Sequence, residues 1–147
     1  MKARLLERVV LICCIFFVNS TFSQSNDWEV YHEDEIIKIE YNYTICDFSS
    51  TASQELIIFK FTNITQEEIT LIYETKMWNN DKQINTEQNI EEFRKTIRLD
   101  KNETITTNCE NKWNEYNIFS AFIDNENNER YPYLTRFELY NLTTKDE

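Results

Sequence analysis

The stretch "FKFTNITQEEITLIYETKMW", Phe59 to Trp78, decides the fold. Apolar residues recur on every second position, first Phe59 and Phe61, then Ile69, Leu71, Tyr73 and Met77. That is the period of a half-buried strand. The polar break between them, "NITQEE" (63–68), reads as the turn of a hairpin, with the odd-numbered residues toward a core. Working outward, "EIIKIEYNYTIC" (35–46) puts Ile37, Ile39, Tyr41, Tyr43 and Ile45 on one face, and Lys38, Glu40, Asn42 and Thr44 on the other. "QELIIFKFTN" (54–63) adds Ile57 to the inward set, and "TRFELYNL" (135–142) offers Phe137 and Leu139. "NIFSAFI" (117–123) is apolar on both faces and suits a central strand. In "EFRKTIRL" (92–99), Phe93, Ile97 and Leu99 fit a strand; Ile90, Phe93 and Ile97 are also spaced for a helix, and the strand is the reading taken. With "WEVYH" (28–32) and "ETITT" (103–107) the chain offers seven or eight strands. Many short antiparallel strands at regular spacing make a sandwich or a barrel. The expected fold is all-β, an immunoglobulin-like antiparallel β-sandwich.

The chain has no glycine and a single proline, Pro132. A β-domain ordinarily spends glycine wherever the backbone must take positive φ. Here the turn signals are asparagine and aspartate, in "NNDK" (79–82), "LDKNE" (99–103) and "DNENNER" (124–130). These are the residues next most tolerant of the left-handed region, and their side chains bond the local backbone.

The first residues carry Lys2, Arg4 and Arg8, followed by an unbroken apolar run from Val9 to Val18. Thr21 and Ser23 then stand at minus three and minus one of a cleavage site before Gln24. That layout is a signal peptide over residues 1–23, with one β-domain over 24–147 and a secreted or periplasmic location. The apolar run is shorter than the roughly 20 residues a membrane-spanning helix needs. Lipidation is not expected, because Ile12 rather than a small residue precedes Cys13.

The formal charge is -11, and cleavage would remove Lys2, Arg4, Arg8 and Glu7, leaving the domain still more acidic. Such a charge repels phosphate backbones, so nucleic acid is not expected as a partner. It would favour a basic protein, a cation or no partner at all, the simplest reading being that acidity keeps the chain soluble. The partner, a protein or a glycan, stays unknown. Two cysteines would survive cleavage, Cys46 and Cys109. In an oxidising compartment such a pair is expected to be a disulfide, closing a loop worth roughly 4 kcal/mol of chain entropy.

No constellation for chemistry stands out. His32 is the only histidine and sits in the acidic run "YHEDE", so no triad, dyad or zinc site can be assembled around it. "DNENNE" (124–129) alternates Asp124, Glu126 and Asn128 like a calcium loop, yet Glu129 and Thr135 stand where an EF-hand requires Gly and Glu. A solvated turn is the simpler reading. No catalytic residue, cofactor or metal is assigned. Trp28, Trp78 and Trp113, with Tyr116, could form a stacking surface for sugars or a protein, or simply cover the second layer and cap the ends of the sandwich, which is the plainer reading. Trp78, Trp113 and Tyr116 are the candidate binding residues. Asn42, Asn63, Asn102 and Asn141 each open an N-x-T sequon.

The pieces "DW" (27–28), "IKIEYNYTICD" (37–47), "LIIFKFTNIT" (56–65), "YETKMW" (73–78), "YNIFSAFID" (116–124) and "LTRFELYNL" (134–142) occur in an order that resembles a group of small uncharacterised exported proteins of Bacteroidota, especially flavobacteria. Members of that group tend to carry Trp where this chain has Tyr73, a second Trp at the position of Trp78, and an extra cysteine pair soon after. "KQINTEQN" (82–89) has no cysteine. The resemblance implies export and a β-fold and supplies no activity. The reading of the whole is an exported, non-enzymatic β-sandwich that serves as a binding or structural module of the envelope. Its alternative is an acidic inhibitor or immunity-type protein that neutralises a basic partner.

Overall fold

The computed structural model describes residues 28–47, 49–85, 90–110, 114–127 and 129–146. The expected leader, Cys13, Cys14 and Trp113 lie outside them. The described residues build two antiparallel sheets packed face to face, the sandwich expected from the alternation. The strands are β1 (Glu29–Glu33), β2 (Ile37–Asp47), β3 (Ala52–Asn63), β4 (Ile69–Asn79), β5 (Lys82–Gln83), β6 (Arg94–Leu99), β7 (Thr104–Thr106), β8 (Ile118–Asp124), β9 (Glu129–Pro132) and β10 (Arg136–Asp146). Eight of them are four residues or longer. The first sheet runs β1-β2-β3-β8-β9, with β7 also on β3; the second runs β10-β4-β5, with β6 also on β4.

The parity read from Phe59–Trp78 holds. Ile57, Phe59, Phe61, Ile69 and Leu71 are wholly buried, and Tyr73 is buried with them. Phe59 and Phe61 stack at 5.7 Å, Phe61 reaches Tyr73 across the sheets at 6.0 Å, and Phe59 meets Phe137 of β10 at 5.8 Å. The hairpin does not hold. β3 and β4 lie in opposite sheets, so residues 64–68 form an arch between layers, and the true hairpin partner of β3 is β2. Alternation fixes which face of a strand is buried, and it carries no information about which sheet the next strand joins.

One side chain organises that arch. Asn63 is 1% exposed, and its amide donates to the carbonyls of Glu67 at 2.7 Å, Asp100 at 2.9 Å and Leu99 at 3.4 Å. Its carbonyl oxygen accepts from the Thr65 N–H at 2.9 Å and hydroxyl at 2.8 Å. The arch and the end of β6 are thus tied to β3 by one fully satisfied amide, the condition under which a buried polar group stabilises a fold. Asn63→Ala leaves several of these groups without a partner and is expected to cost about 2–3 kcal/mol in urea melts. Asn42→Ala, on the outward face of β2, should stay within about half a kcal/mol. A comparable loss at both positions would remove the special role of Asn63.

Three other asparagines and one aspartate fill the place of glycine. Asn80 (φ 47°), Asp81 (φ 65°), Asn102 (φ 54°) and Asn141 (φ 52°) all take left-handed backbone, in the "NNDK" and "LDKNE" turns and at the register shift of β10. Asn85 uses its side chain as a short piece of strand, accepting from the Met77 N–H at 2.8 Å and donating to the Thr75 carbonyl. Thr107 does the same beyond β7, its hydroxyl accepting from the Phe59 N–H at 2.8 Å.

Two further expectations change. The run after Ile90 divides, with one helical turn, α1 (Ile90–Phe93), passing directly into β6. A short run with both periodicities is resolved by its neighbours, here the ladder of β6 on β4 from Arg94 onward. Tyr43 and Ile45 share the inward parity of β2 yet are 48% and 60% exposed. The far end of the first sheet extends beyond the cover of the second. There the inner face turns polar, and buried Glu55 is held by the Arg130 guanidinium and by the Ser120 hydroxyl at 2.6 Å.

On the other side of the first sheet a smaller cluster forms from Cys46, Leu56 and Ile58 under Trp28 and Phe119. Cys46 is bonded to Cys109, a pair 63 residues apart, as the composition led one to expect. No helix among the described residues is long and apolar enough to cross a membrane.

Candidate functional site

The candidate rings do not converge. Trp78 has the outward parity of β4 and lies opposite Arg136 of β10, whose guanidinium sits 3.9 Å from its ring centroid. Tyr116 ends the short 3-10 turn Asn114–Tyr116, packs against the main core, and donates from its hydroxyl to the Thr96 carbonyl at 3.0 Å. It lines a cleft of about 240 Å³ together with Thr75, Met77, Glu115 and Phe119. Met77 and Trp78 are consecutive in a strand and point to opposite faces, so Trp78 has no part in that cleft. Trp113 lies outside the described residues. Beside the cleft, the Tyr73 phenol is sealed in the core, where burial first, and then Tyr116 and Glu115, push its pKa far up. A phenol so placed stays neutral within the core.

The aromatic surface the structure does build lies on the outer side of β8 and β9. Phe122 pairs with Gln54 of β3 and with Tyr131 of β9, so all three share a face. Phe119 and Phe122 are three residues apart, and plain alternation would send them to opposite sides. The register shifts between Glu55 and Leu56, however, so that Leu56 faces Phe119 while Gln54 faces Phe122. This bulge returns both rings to one side. The Phe119 ring lies 4.7 Å from Phe122 and 5.7 Å from Tyr133. Phe122, Tyr131 and Tyr133 are 53%, 55% and 46% exposed. A contiguous group of exposed large rings is the exception on a protein surface, whereas scattered ones are the rule.

Next to the rings is an open groove of about 320 Å³, lined by Thr51, Ala52, Phe122, Asp124, Glu126 and Tyr131. Its acids differ in what they already do. Asp124 folds its own turn, its carboxylate accepting from the backbone N–H groups of Glu126 (2.9 Å) and Asn127 (3.1 Å) and from the Asn127 amide (2.8 Å). The Asn127 bonds, chiefly, hold its pKa below the ordinary 3.8. The calcium-like alternation of Asp124, Glu126 and Asn128 is therefore an aspartate-capped turn, with Asn128 outside the described residues. Glu129 accepts a hydrogen bond from the Tyr131 hydroxyl, and this bond leads the causes that raise the Tyr131 pKa. Glu126 carries no such commitment on its side chain among the described bonds.

No protein-family model, curated protein or solved structure matches this chain. The chemistry of the surface has to be read from its own residues.

The second acidic cluster repeats the pattern. Asp34 caps the turn between β1 and β2, accepting from the Ile36 and Ile37 N–H groups at 2.8 Å each and from His32 at 3.0 Å. Desolvation raises its pKa, but the bonds from Ile37, His32 and Ile36 outweigh that and hold it below 3.8. His32 spends its Nε2 on Asp34, two residues away. No group of three or more His, Cys, Asp or Glu is placed to hold a metal ion among the described residues. Of the sequons, Asn63 is buried and hydrogen-bonded, so it has no accessible amide in the folded chain.

Sequence reasoning missed the β8–β9 surface. Parity splits Phe119 from Phe122, and "ERYP" (129–132) carries a proline and little apolar character to announce a strand. The one available signal was the spacing of Tyr131 and Tyr133 on either side of Pro132, a pattern that suits an edge strand.

Proposed function

We propose that this protein is an exported, non-enzymatic binding module whose contact surface is the aromatic outer face of β8 and β9. The single observation that carries this reading is the group of exposed rings Phe122, Tyr131 and Tyr133 around the part-buried Phe119, which packs against Phe122 and Tyr133 while Tyr131 pairs with Phe122 across the strands. Aromatic rings held rigidly on a sheet give large contact area at low conformational cost, which is why they dominate binding hot spots. Export is supported by the signal-like first residues and by the Cys46–Cys109 bond, which oxidising compartments sustain. The same properties suit the kind of exported envelope protein that the sequence resembles.

The test compares the wild-type mature domain with Phe122→Ser/Tyr131→Ser as bait on extracytoplasmic extract of the source organism. Both side chains are more than half exposed, so the variant should melt within a few degrees of wild type. The wild type should retain a partner that the variant loses. Identical captures by the two baits would show that the surface lies elsewhere.

The alternative, an acidic protein that neutralises a basic one, is favoured by Glu126 and Glu129 flanking the same rings. Charge reversal should be confined to Glu126 and Glu129, or to Glu33 and Glu35 as the comparison. Asp34 and Asp124 hold their turns and would confound it.

A further inference from the structure

Elsewhere on the molecule, outward rings are already covered by the protein's own cations. Lys60 Nζ stands 4.4 Å from the Trp28 centroid, Arg136 3.9 Å from Trp78, and Lys76 3.1 Å from Tyr140. Three rings therefore have their electron-rich faces occupied by the protein's own charges. No described cation lies over Phe122, Tyr131 or Tyr133. Arg130, the nearest base in sequence, points to the opposite side of β9, where it pairs with buried Glu55. The groove beside these rings is lined by Asp124 and Glu126 and includes no basic side chain. Glu129 extends the acidic side, because it shares the face of Tyr131 two residues along the strand and holds its hydroxyl.

From this we infer that the groove takes an arginine or lysine side chain presented by a basic segment of another protein. The inference rests on the reading of the β8–β9 face as the contact surface and deepens it by naming the partner's chemistry. Charge complementarity selects the occupant. A guanidinium or ammonium over Phe122 or Tyr131 gains the ring quadrupole on one side and the Glu126 and Glu129 carboxylates on the other. An acidic or phosphorylated segment meets these carboxylates and is repelled. A neutral apolar segment gains only ring contact and leaves the carboxylates to be partly desolvated without a counter-charge. The volume, about 320 Å³ and open to solvent, suits one or two side chains. The interaction lies at a partly exposed rim, so its electrostatic part acts mainly on encounter rate and on partner choice.

The test uses the mature domain and two synthetic peptides of one length, one carrying three arginines spaced by alanine and the other citrulline in their place. Citrulline keeps the planar shape and removes the charge. Binding is followed by ring resonances of Phe122 and Tyr131 and by titration at low and high salt. The arginine peptide should perturb both rings and bind roughly tenfold more tightly than the citrulline peptide, an advantage that falls with salt. Glu126→Gln/Glu129→Gln should remove that advantage while leaving the melting temperature in place. Citrulline and arginine peptides binding equally at these rings would overturn the inference and leave the contact surface standing. Arginine peptide binding that spares the rings, or survives both the glutamine and the Phe122→Ser/Tyr131→Ser changes, would overturn it too. So would no binding of either peptide, and the capture comparison then reports separately on the surface itself.

Discussion

Phe59→Ala is expected to lower the unfolding free energy by roughly 3–5 kcal/mol, the range for deleting a fully buried phenylalanine. The residue is wholly buried, stacks on Phe61 within its own sheet and meets Phe137 edge-on from the other. Little can collapse into the void, because the first sheet is held there on two sides. Tyr41 of β2 pairs with Phe59, and Thr107 bonds both its N–H and its carbonyl. Lys60→Ala next door removes an outward side chain that reaches Glu40 at 3.4 Å and covers Trp28. Those contacts are worth about 0.5–1 kcal/mol together. Urea melts of the two variants decide the register: a larger loss at Lys60 than at Phe59 would place the even residues inside.

Replacing Cys46 and Cys109 by alanine should cost about 4 kcal/mol, since the bond removes the closure entropy of a 63-residue loop from the unfolded chain. The bond does more than close a loop. It fixes the segment after β7 to β2, reaching past β3, and seals Leu56 and Ile58 on the face away from the main core. Thiol labelling of denatured, unreduced protein should find neither cysteine, and reduction should lower the melting temperature by many degrees. Full labelling, or a melting temperature unchanged by reductant, would contradict the pairing.

Strand faces were legible from the alternation of Phe59, Phe61, Ile69 and Leu71, because burial on one side of a sheet imposes a period of two. The left-handed asparagines were legible from the missing glycines. Sheet membership was not. The arch after Asn63 depends on bonds to Leu99 and Asp100, more than thirty residues away, which no local pattern records. The same blindness hid the aromatic face of β8 and β9. Phe119 and Phe122 share a face only through a bulge, and a single inserted residue is invisible to parity. Trp78 drew notice by its type, yet a ring already covered by Arg136 is less available than the plainer Phe122.

The arch also sets an order of events while the chain is being made. The meander of β1, β2 and β3 can pair as soon as residue 63 has emerged, through contacts that are close in sequence. β4 arrives next and cannot extend that meander, since it belongs to the opposite layer. Its longest partner, β10, is the last strand among the described residues, pairing Asp146 with Ile69 and Arg136 with Trp78. Until then the apolar side of β4 has only β6 and the short β5 beside it in its own layer. Contacts of such long range fold slowly, in milliseconds to seconds, and leave unpaired edges exposed meanwhile. The second layer therefore completes only once residues 136–146 have been made, and a chain paused before that point presents one long edge of β4 with no strand to pair it.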